Sequence, residues 1–428
     1  MSRLHYLLLI ATWAGADAAD LLQGRQYTQC GVLGRARRPK GDGKRIVHGE
    51  DSDQCVWRWQ VSLSSTSDGQ FCGGTLISPE WVLTAAHCVW GVRSTCEVQN
   101  LRIGAGAWHR REQIPGDRKV AVQRRVVKIF THPLYQNNVA HDYDFALMKL
   151  DKPVPINHCI GVACLPRDLD TPGANCNITG WGTLNSSGPT PDLLQEAPVS
   201  LLSNEVCEQN YTETIAGSML CARGHSRTGI TDTCQGDSGG PLVCQEKVKG
   251  MRGKRFVLRG VTSWGQGCAY EGFPGVYGRV VTVLSWINDA MQGKIRKAHA
   301  VDDSEDDYSN VDFRGAMWSV LRGPCSVDAA HCLLSPNYPN SYGDNQQCKV
   351  AVNAAAAVPI EVVSFSTEIG FDKLYVDCKA YHGSRGPEGV VPTNSLFWSS
   401  DASVVDAGWR LCPRNETTTT TSTTTFYA

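Results

Sequence analysis

The chain has no excess of charge. Its 428 residues carry 41 Lys and Arg against 42 Asp and Glu, a formal net charge of −1. A balance this close to zero gives no global reason to expect nucleic acid as a partner, so electrostatic recognition must be local. Long apolar runs are missing too. The N-terminal stretch around residues 7–10 of MSRLHYLLLIATWAGADAAD falls well short of the ~20 residues that a membrane span requires. A basic start, that short run and the small residues Ala16-Asp17-Ala18 read instead as a signal peptide over residues 1–18. The protein is therefore expected to be secreted and extracellular. Paired CxxC clusters of the structural-zinc kind are absent, and no metal or other cofactor is assigned. No internal repeat of fixed period occurs.

What is abundant is cysteine. Eighteen in an exported chain favour disulfides over free thiols. Sequons at Asn177, Asn185, Asn210 and Asn415 suit a glycoprotein of that compartment. From about residue 46 to 290, short runs such as WQVSLSS, DFALMKL and FVLRGVTSWG are broken by Gly, Pro, Asn and Asp. Many short strands with turn signals between them predict an all-β barrel or sandwich. A helical pattern, VLSWINDAMQGKIRKAH at 283–299, closes the region with basic residues toward its end. Beyond it, DDSEDDYSNVD reads as a solvated acidic linker and NETTTTTSTTTFYA as a threonine-rich tail.

The tetrapeptide AAHC occurs twice, at 85–88 and at 329–332. A histidine beside a cysteine is most often structural, so partners elsewhere in the chain must decide. For His87 they exist. GDSGGP at 236–241 puts Ser238 on a glycine-rich turn, and DFALMKL supplies Asp144 at the head of an apolar strand. Asp142, two residues earlier, competes with Asp144 by composition. The order His…Asp…Ser is one of the known orders for a hydrolytic triad. Together TAAHC, DFAL and GDSGGP resemble the chymotrypsin/trypsin family of serine endopeptidases, from Ile46 to about Ala300. The resemblance implies two antiparallel six-stranded β-barrels with a C-terminal helix. Its D-x-A-L pattern selects Asp144. It implies a triad of His87, Asp144 and Ser238, with the backbone N–H groups of Gly236 and Ser238 as the oxyanion hole.

The same resemblance implies trypsin-like specificity. Asp232, six residues before Ser238, matches the carboxylate at the base of the primary pocket, and Gly265 and Gly275 match the small residues that keep it open. Ser263 matches the family serine near the triad aspartate and is grouped with these specificity positions. An unpaired buried carboxylate favours a substrate Arg or Lys. GDGKRIVHGEDS resembles an activation junction cut between Arg45 and Ile46, whose new ammonium would pair with Asp237. Implied bridges are Cys30–Cys164, Cys72–Cys88, Cys176–Cys244, Cys207–Cys221 and Cys234–Cys268, with Cys55–Cys159 proposed beside the Cys30 tether. The basic segments WHRREQIPGDRK and KVKGMRGKR are read as solvated loops before exosites.

After His331, LLSPNYPNSYGDNQQC at 333–348 resembles the SPNYP signature of CUB domains, extracellular β-sandwiches used for recognition. Cys325–Cys348 and Cys378–Cys412 would be its bridges, leaving Cys332, for which Cys96 is one candidate partner. Calcium-binding members of that family use a Glu and two Asp residues, for which Glu368, Asp372 and Asp401 are the candidates here, although no metal is assigned. No GDSGG-like serine follows His331, so no triad can be built around it. The expected order is signal peptide 1–18, propeptide 19–45, protease 46–300, acidic linker 301–323, CUB-like domain 324–413 and tail 414–428. Expected partners are protein substrates with Arg or Lys before the scissile bond, an activating protease, and an extracellular protein or glycan ligand of the second domain. The rival reading is a non-catalytic extracellular binding protein that keeps the protease fold as scaffold.

Overall fold

The computed structural model describes residues 29–35, 50–65, 69–90, 92, 95–110, 121–183, 189–226, 229–231, 236–266, 270, 272–295, 311–313, 315–393, 395–401 and 404–414. The expected signal peptide, the Arg45–Ile46 junction, Asp232, Cys234, Cys268 and the threonine-rich tail lie outside them. No helix among the described residues is long and apolar enough to cross a membrane. Two compact units divide the chain, the first ending at Ala300.

In the first unit, a short strand β1 (Glu50–Asp51) precedes six that close into a barrel: β2 (Gln60–Ser65), β3 (Gly69–Ser78), β4 (Trp81–Thr84), β5 (Leu101–Ala105), β6 (Val122–Thr131) and β7 (Ala146–Leu150). Six more follow: β8 (Asn175–Gly180), β9 (Gln195–Leu202), β10 (Met219–Ser226), β12 (Pro241–Lys247), β13 (Lys254–Trp264) and β14 (Gly275–Arg279), with β11 (Gly229–Thr231) extending β10. Their order, β9-β8-β12-β13-β14-β10, closes through a second pairing of β9 with β10. All these pairings are antiparallel, which gives the two six-stranded barrels expected from the sequence.

Period-two patterning explains the second barrel's core. In β9, Gln195, Ala197, Val199 and Leu201 are buried while the residues between them are less so. Burying one face of each strand in this way is what fixes register. Ala197, Val199 and Leu201 pack with Ile178, Leu242 and Tyr277 around the Cys176–Cys244 bridge, whose two cysteines lie directly opposite on β8 and β12.

The closing helix is shorter than its sequence pattern. It runs over Leu284–Met291 after a 3₁₀ turn at Val280–Val283 and buries Trp286, Ile287 and Ala290. Gly293 ends it in the left-handed conformation, with its N–H bonded to Ala290 O at 3.0 Å and Lys294 N–H to Asp289 O at 2.9 Å. That is a Schellman stop, which satisfies the last carbonyls and turns the chain before the basic residues beyond.

The second unit is a β-sandwich. A five-stranded sheet has the order β15 (Trp318–Arg322), β18 (Gln347–Val352), β22 (Ser395–Ser399), β20 (Lys373–Val376), β21 (Lys379–Tyr381). A four-stranded sheet has the order β16 (Ser326–Val327), β17 (Leu333–Leu334), β23 (Gly408–Pro413), β19 (Ile360–Ser366). Trp318, Leu396 and Trp398 of the first sheet share one core with Leu333, Trp409 and Leu411 of the second.

Disulfides pair as expected at Cys30–Cys164, Cys55–Cys159, Cys72–Cys88, Cys176–Cys244, Cys207–Cys221 and Cys325–Cys348. One expectation is overturned: Cys412 bonds to Cys332, not to Cys378. Register decides it. Leu333 pairs with Leu411 across β17 and β23, which brings Cys332 and Cys412 opposite each other. This also removes Cys332 as a partner for Cys96. Cys378, itself disulfide-bonded, follows Asp377 in a two-residue hairpin between β20 and β21, both at positive φ, on the other sheet.

Candidate active site

His87 follows β4 after two alanines, and the register of that strand with β3 and β7 places it at the barrel's end. Ala85 and Ala86 before it are fully buried, which leaves little freedom in how the segment turns. Asp144 precedes β7 at the end of a loop in which Gln136, His141 and Tyr143 all adopt left-handed backbone. The two meet closely. His87 Nδ1 lies 2.7 Å from Asp144 Oδ2, and the His87 backbone N–H donates to Asp144 Oδ1 at 2.9 Å. Ser263 Oγ on β13 donates to Asp144 Oδ2 at 2.6 Å. Three donors thus converge on a carboxylate only 1% exposed.

Burial alone would push the Asp144 carboxyl up. The hydrogen bond and charge of His87, with the Ser263 bond, outweigh it and hold the group below the usual carboxylate range. Asp144 therefore stays an anion and fixes the imidazole tautomer, with Nδ1 as donor and Nε2 left to accept. Asp142 is also buried, but it accepts from the Ser218 hydroxyl, so the ambiguity between the two aspartates is settled by their partners.

Ser238 lies between two glycines at positive φ, Gly236 at 97° and Gly239 at 76°. A Cβ on Gly239 would run into the Thr84 hydroxyl and sit 2.6 Å from Gly73 O and 3.1 Å from Ala85 N. Only glycine lets the serine loop lie against the histidine segment. Ser238 O then accepts from Gly73 N–H at 2.7 Å, and Gly239 N–H donates to Thr262 O at 2.8 Å. Among the described residues no hydrogen bond joins Ser238 Oγ to His87; such contacts are commonly long before substrate binds.

Asp237 is 3% exposed and accepts from Gly182 N–H at 2.7 Å. Any Cβ on Gly180 or Gly182 would collide with its carboxylate. Sequence reasoning missed both glycines, although GWG at 180–182 is a visible signal. It also missed Gln70, whose Nε2 donates to Gly236 O at 3.1 Å, and Ser218. Of the specificity positions, Ser263 is on Asp144, Gly275 is buried opposite Ala222, and Gly265 is exposed just after β13. His141 stacks on Trp264 with ring centroids 5.9 Å apart and stands edge-on to His87 at 6.2 Å. Burial draws its pKa down, and His87 adds to this while Asp144 opposes it.

Comparisons with known proteins agree with this geometry. The family model described as Trypsin matches residues 46–287. Transmembrane protease serine 9 of Rattus norvegicus is 40% identical over 253 residues, which cover 58% of this chain and 22% of that protein. The chain thus spans about a fifth of the length of that relative. A buried aspartate paired with His87, a GDSGG loop packed against the histidine segment, and two six-stranded barrels matched over that span place the chain in the trypsin family of serine proteases.

Proposed function

We propose that the chain is a secreted serine endopeptidase, made as an inactive precursor, that cleaves protein chains after Arg or Lys. The observation that carries this reading is the contact of His87 with the buried Asp144 at 2.7 Å, held by a further donor from Ser263. A serine hydroxyl is a weak nucleophile, so attack of Ser238 Oγ on the scissile carbonyl needs His87 Nε2 to take its proton. Asp144 stabilises the imidazolium that forms. The N–H groups of Gly236 and Ser238 receive the developing oxyanion, an effect of about 3–4 kcal/mol for one donor. His87 then hands the proton to the leaving amine, and water attacks the acyl-enzyme by the same route in reverse. Asp232 would hold the substrate cation. Cleavage after Arg45 would free the Ile46 ammonium to pair with Asp237 and order the serine loop.

Limited trypsin digestion followed by an Arg-amide assay tests this reading. The cleaved protein is expected to hydrolyse the amide, to be blocked by a serine-directed inhibitor, and to be inert as Ser238→Ala. A cleaved wild type without hydrolysis would favour the scaffold reading, and equal rates on Arg and Phe amides would remove the basic preference.

For the second unit, the likeness to CUB domains and one cluster favour a calcium ion. Glu368, Asp372 and Asp401 place carboxylate oxygens within 4.8 Å of one another, and Glu368 Oε2 is buried without a hydrogen-bond partner. Burial first, then the neighbouring carboxylates, raise the pKa of Glu368. Asp372 is oriented by the Tyr342 hydroxyl at 2.6 Å and the Asp401 N–H at 2.8 Å. A set of hard oxygen donors repelling one another suits Ca²⁺, which would neutralise them and hold a ligand's polar group. Calcium is expected to raise the melting temperature of this unit, and Asp372→Asn to abolish the rise.

A further inference from the structure

We propose that a disulfide joins Cys96 to Cys378 and so ties the segment that follows the triad histidine to the second unit. The seven bridges described use fourteen of the eighteen cysteines. Cys378 is disulfide-bonded as well, and its partner is not among those fourteen. Three candidates remain: Cys96, Cys234 and Cys268. The trypsin-family resemblance pairs the last two with each other. The second barrel supports that pairing, because Gly239 N–H donates to Thr262 O at 2.8 Å. This bond joins the serine loop, just beyond Cys234, to the strand β13 that ends just before Cys268. Cys96 is left for Cys378.

Two further observations point the same way without counting cysteines. The short helix Thr95–Asn100 lies between barrel strands β4 and β5 in the sequence, yet through Gln99 it belongs to the second unit. The five-stranded sheet of that unit, moreover, is buried on both faces near Cys378. Leu374, Val376, Leu396 and Trp398 face the sandwich core, so strand alternation turns Tyr375 and Phe397 outward. Those two pair directly across β20 and β22 and are only 6% and 9% exposed. An outward pair buried this deeply needs cover from beyond the sandwich, and Cys378 packs against it. The helix is the piece of this unit drawn from elsewhere in the chain, and a bridge to Cys378 would hold it over that pair. Forming the bridge takes two electrons and two protons from the two thiols. An oxidised dithiol catalyst of the export compartment accepts them and is itself reduced, as for the other bridges.

Eight residues separate Cys96 from His87, so the second unit gains a covalent link close in sequence to the triad, independent of the acidic linker. A cut in that linker would leave the unit attached. On the proteolytic reading, ligand capture and hydrolysis would then stay on one molecule after such a cut; the bridge itself does not rest on that reading.

Tryptic mapping of the full Ser238→Ala chain without reductant is expected to yield residues 94–102 linked to 374–379. In the same background Cys378→Ser should free one thiol, at Cys96, and Cys96→Ser one, at Cys378, each read by alkylation of the folded protein. The reciprocal variants keep the test decisive if one of them fails to fold. With a site for a sequence-specific protease placed at 303–308, the cut chain should run as one species on a denaturing gel and as two after reduction. The cut Cys378→Ser chain should run as two without reductant. Cys378 linked to Cys234 or Cys268, or Cys96 alkylated in the unreduced native chain, overturns the bridge. A mapped link between Cys96 and Cys378 in a wild type that hydrolyses no Arg-amide after activation leaves the bridge standing and sinks only the protease reading.

Discussion

The two AAHC segments share four residues and almost nothing else. At 85–88 the alanines are sealed inside a barrel, and the histidine sends both a backbone and a ring nitrogen to a distant aspartate. At 329–332 the segment is the turn between β16 and β17. Asp328 Oδ1 accepts from Ala330 N and Cys332 N, both at 2.9 Å, and Oδ2 takes the Arg410 guanidinium at 2.8 Å. His331 there is exposed, adopts φ of 62°, and bonds through its backbone, its N–H donating to Asp328 O at 3.0 Å and its carbonyl accepting from Trp318 Nε1 at 2.9 Å. In the first copy an aspartate 57 residues away makes the histidine chemical. In the second, an aspartate three positions earlier makes the backbone turn, and the imidazole is incidental.

The largest test of this contrast is catalytic. Asp144→Asn is expected to cut kcat about 10⁴-fold, the loss found when a triad carboxylate becomes an amide and the wrong tautomer is held. His331→Ala should leave kcat/KM on the Arg-amide unchanged. Steady-state kinetics on both activated variants would break the comparison if they fell together.

A smaller effect separates the units by pH. His132, 7% exposed, stacks on Tyr143 at 4.5 Å, and burial pushes its pKa down to about 4 despite the pull of Asp142. The unfolded chain binds that proton near pH 6.5, so stability is full above 6.5 and is lost as pH falls toward 4. The loss is of order 3 kcal/mol for the first unit. In the second unit Glu368 and Asp372 are shifted up, mainly by burial. They bind protons more readily folded than unfolded, so acid acts there in the opposite sense. Calorimetry with EDTA at pH 7 and 4.5 should show the first unit's transition falling further, and His132→Asn should reduce its drop. The smallest effect is local: His331→Gly should stabilise the second unit by about 1 kcal/mol by relieving its left-handed backbone, read as a higher melting temperature.

Much of the site was legible because its parts sit in short motifs with fixed residue types. TAAHC, DFAL and GDSGGP each carry a group whose chemistry constrains its neighbours. Barrel strands were legible through alternation, as in β9. What the sequence left open depended on register or on backbone space. The partner of Cys412 follows from the pairing of Leu333 with Leu411, which no cysteine spacing encodes. By composition Asp142 and Asp144 are equal; the D-x-A-L resemblance chose Asp144, and the structure supplies the reason, Ser218 facing the one and His87 the other. The helix overran in the reading because basic residues continue past Gly293, and the local stop outweighed them.

Gly180 and Gly182 give the fold a blind spot for anyone mapping function by substitution. Neither offers a group that can touch substrate, yet a single methyl on either would occupy the space taken by the Asp237 carboxylate. In a mutational scan, alanine at these two positions would score alongside loss of the aspartate itself. Sensitivity there would measure room kept for an anion, not chemistry performed by the residue replaced.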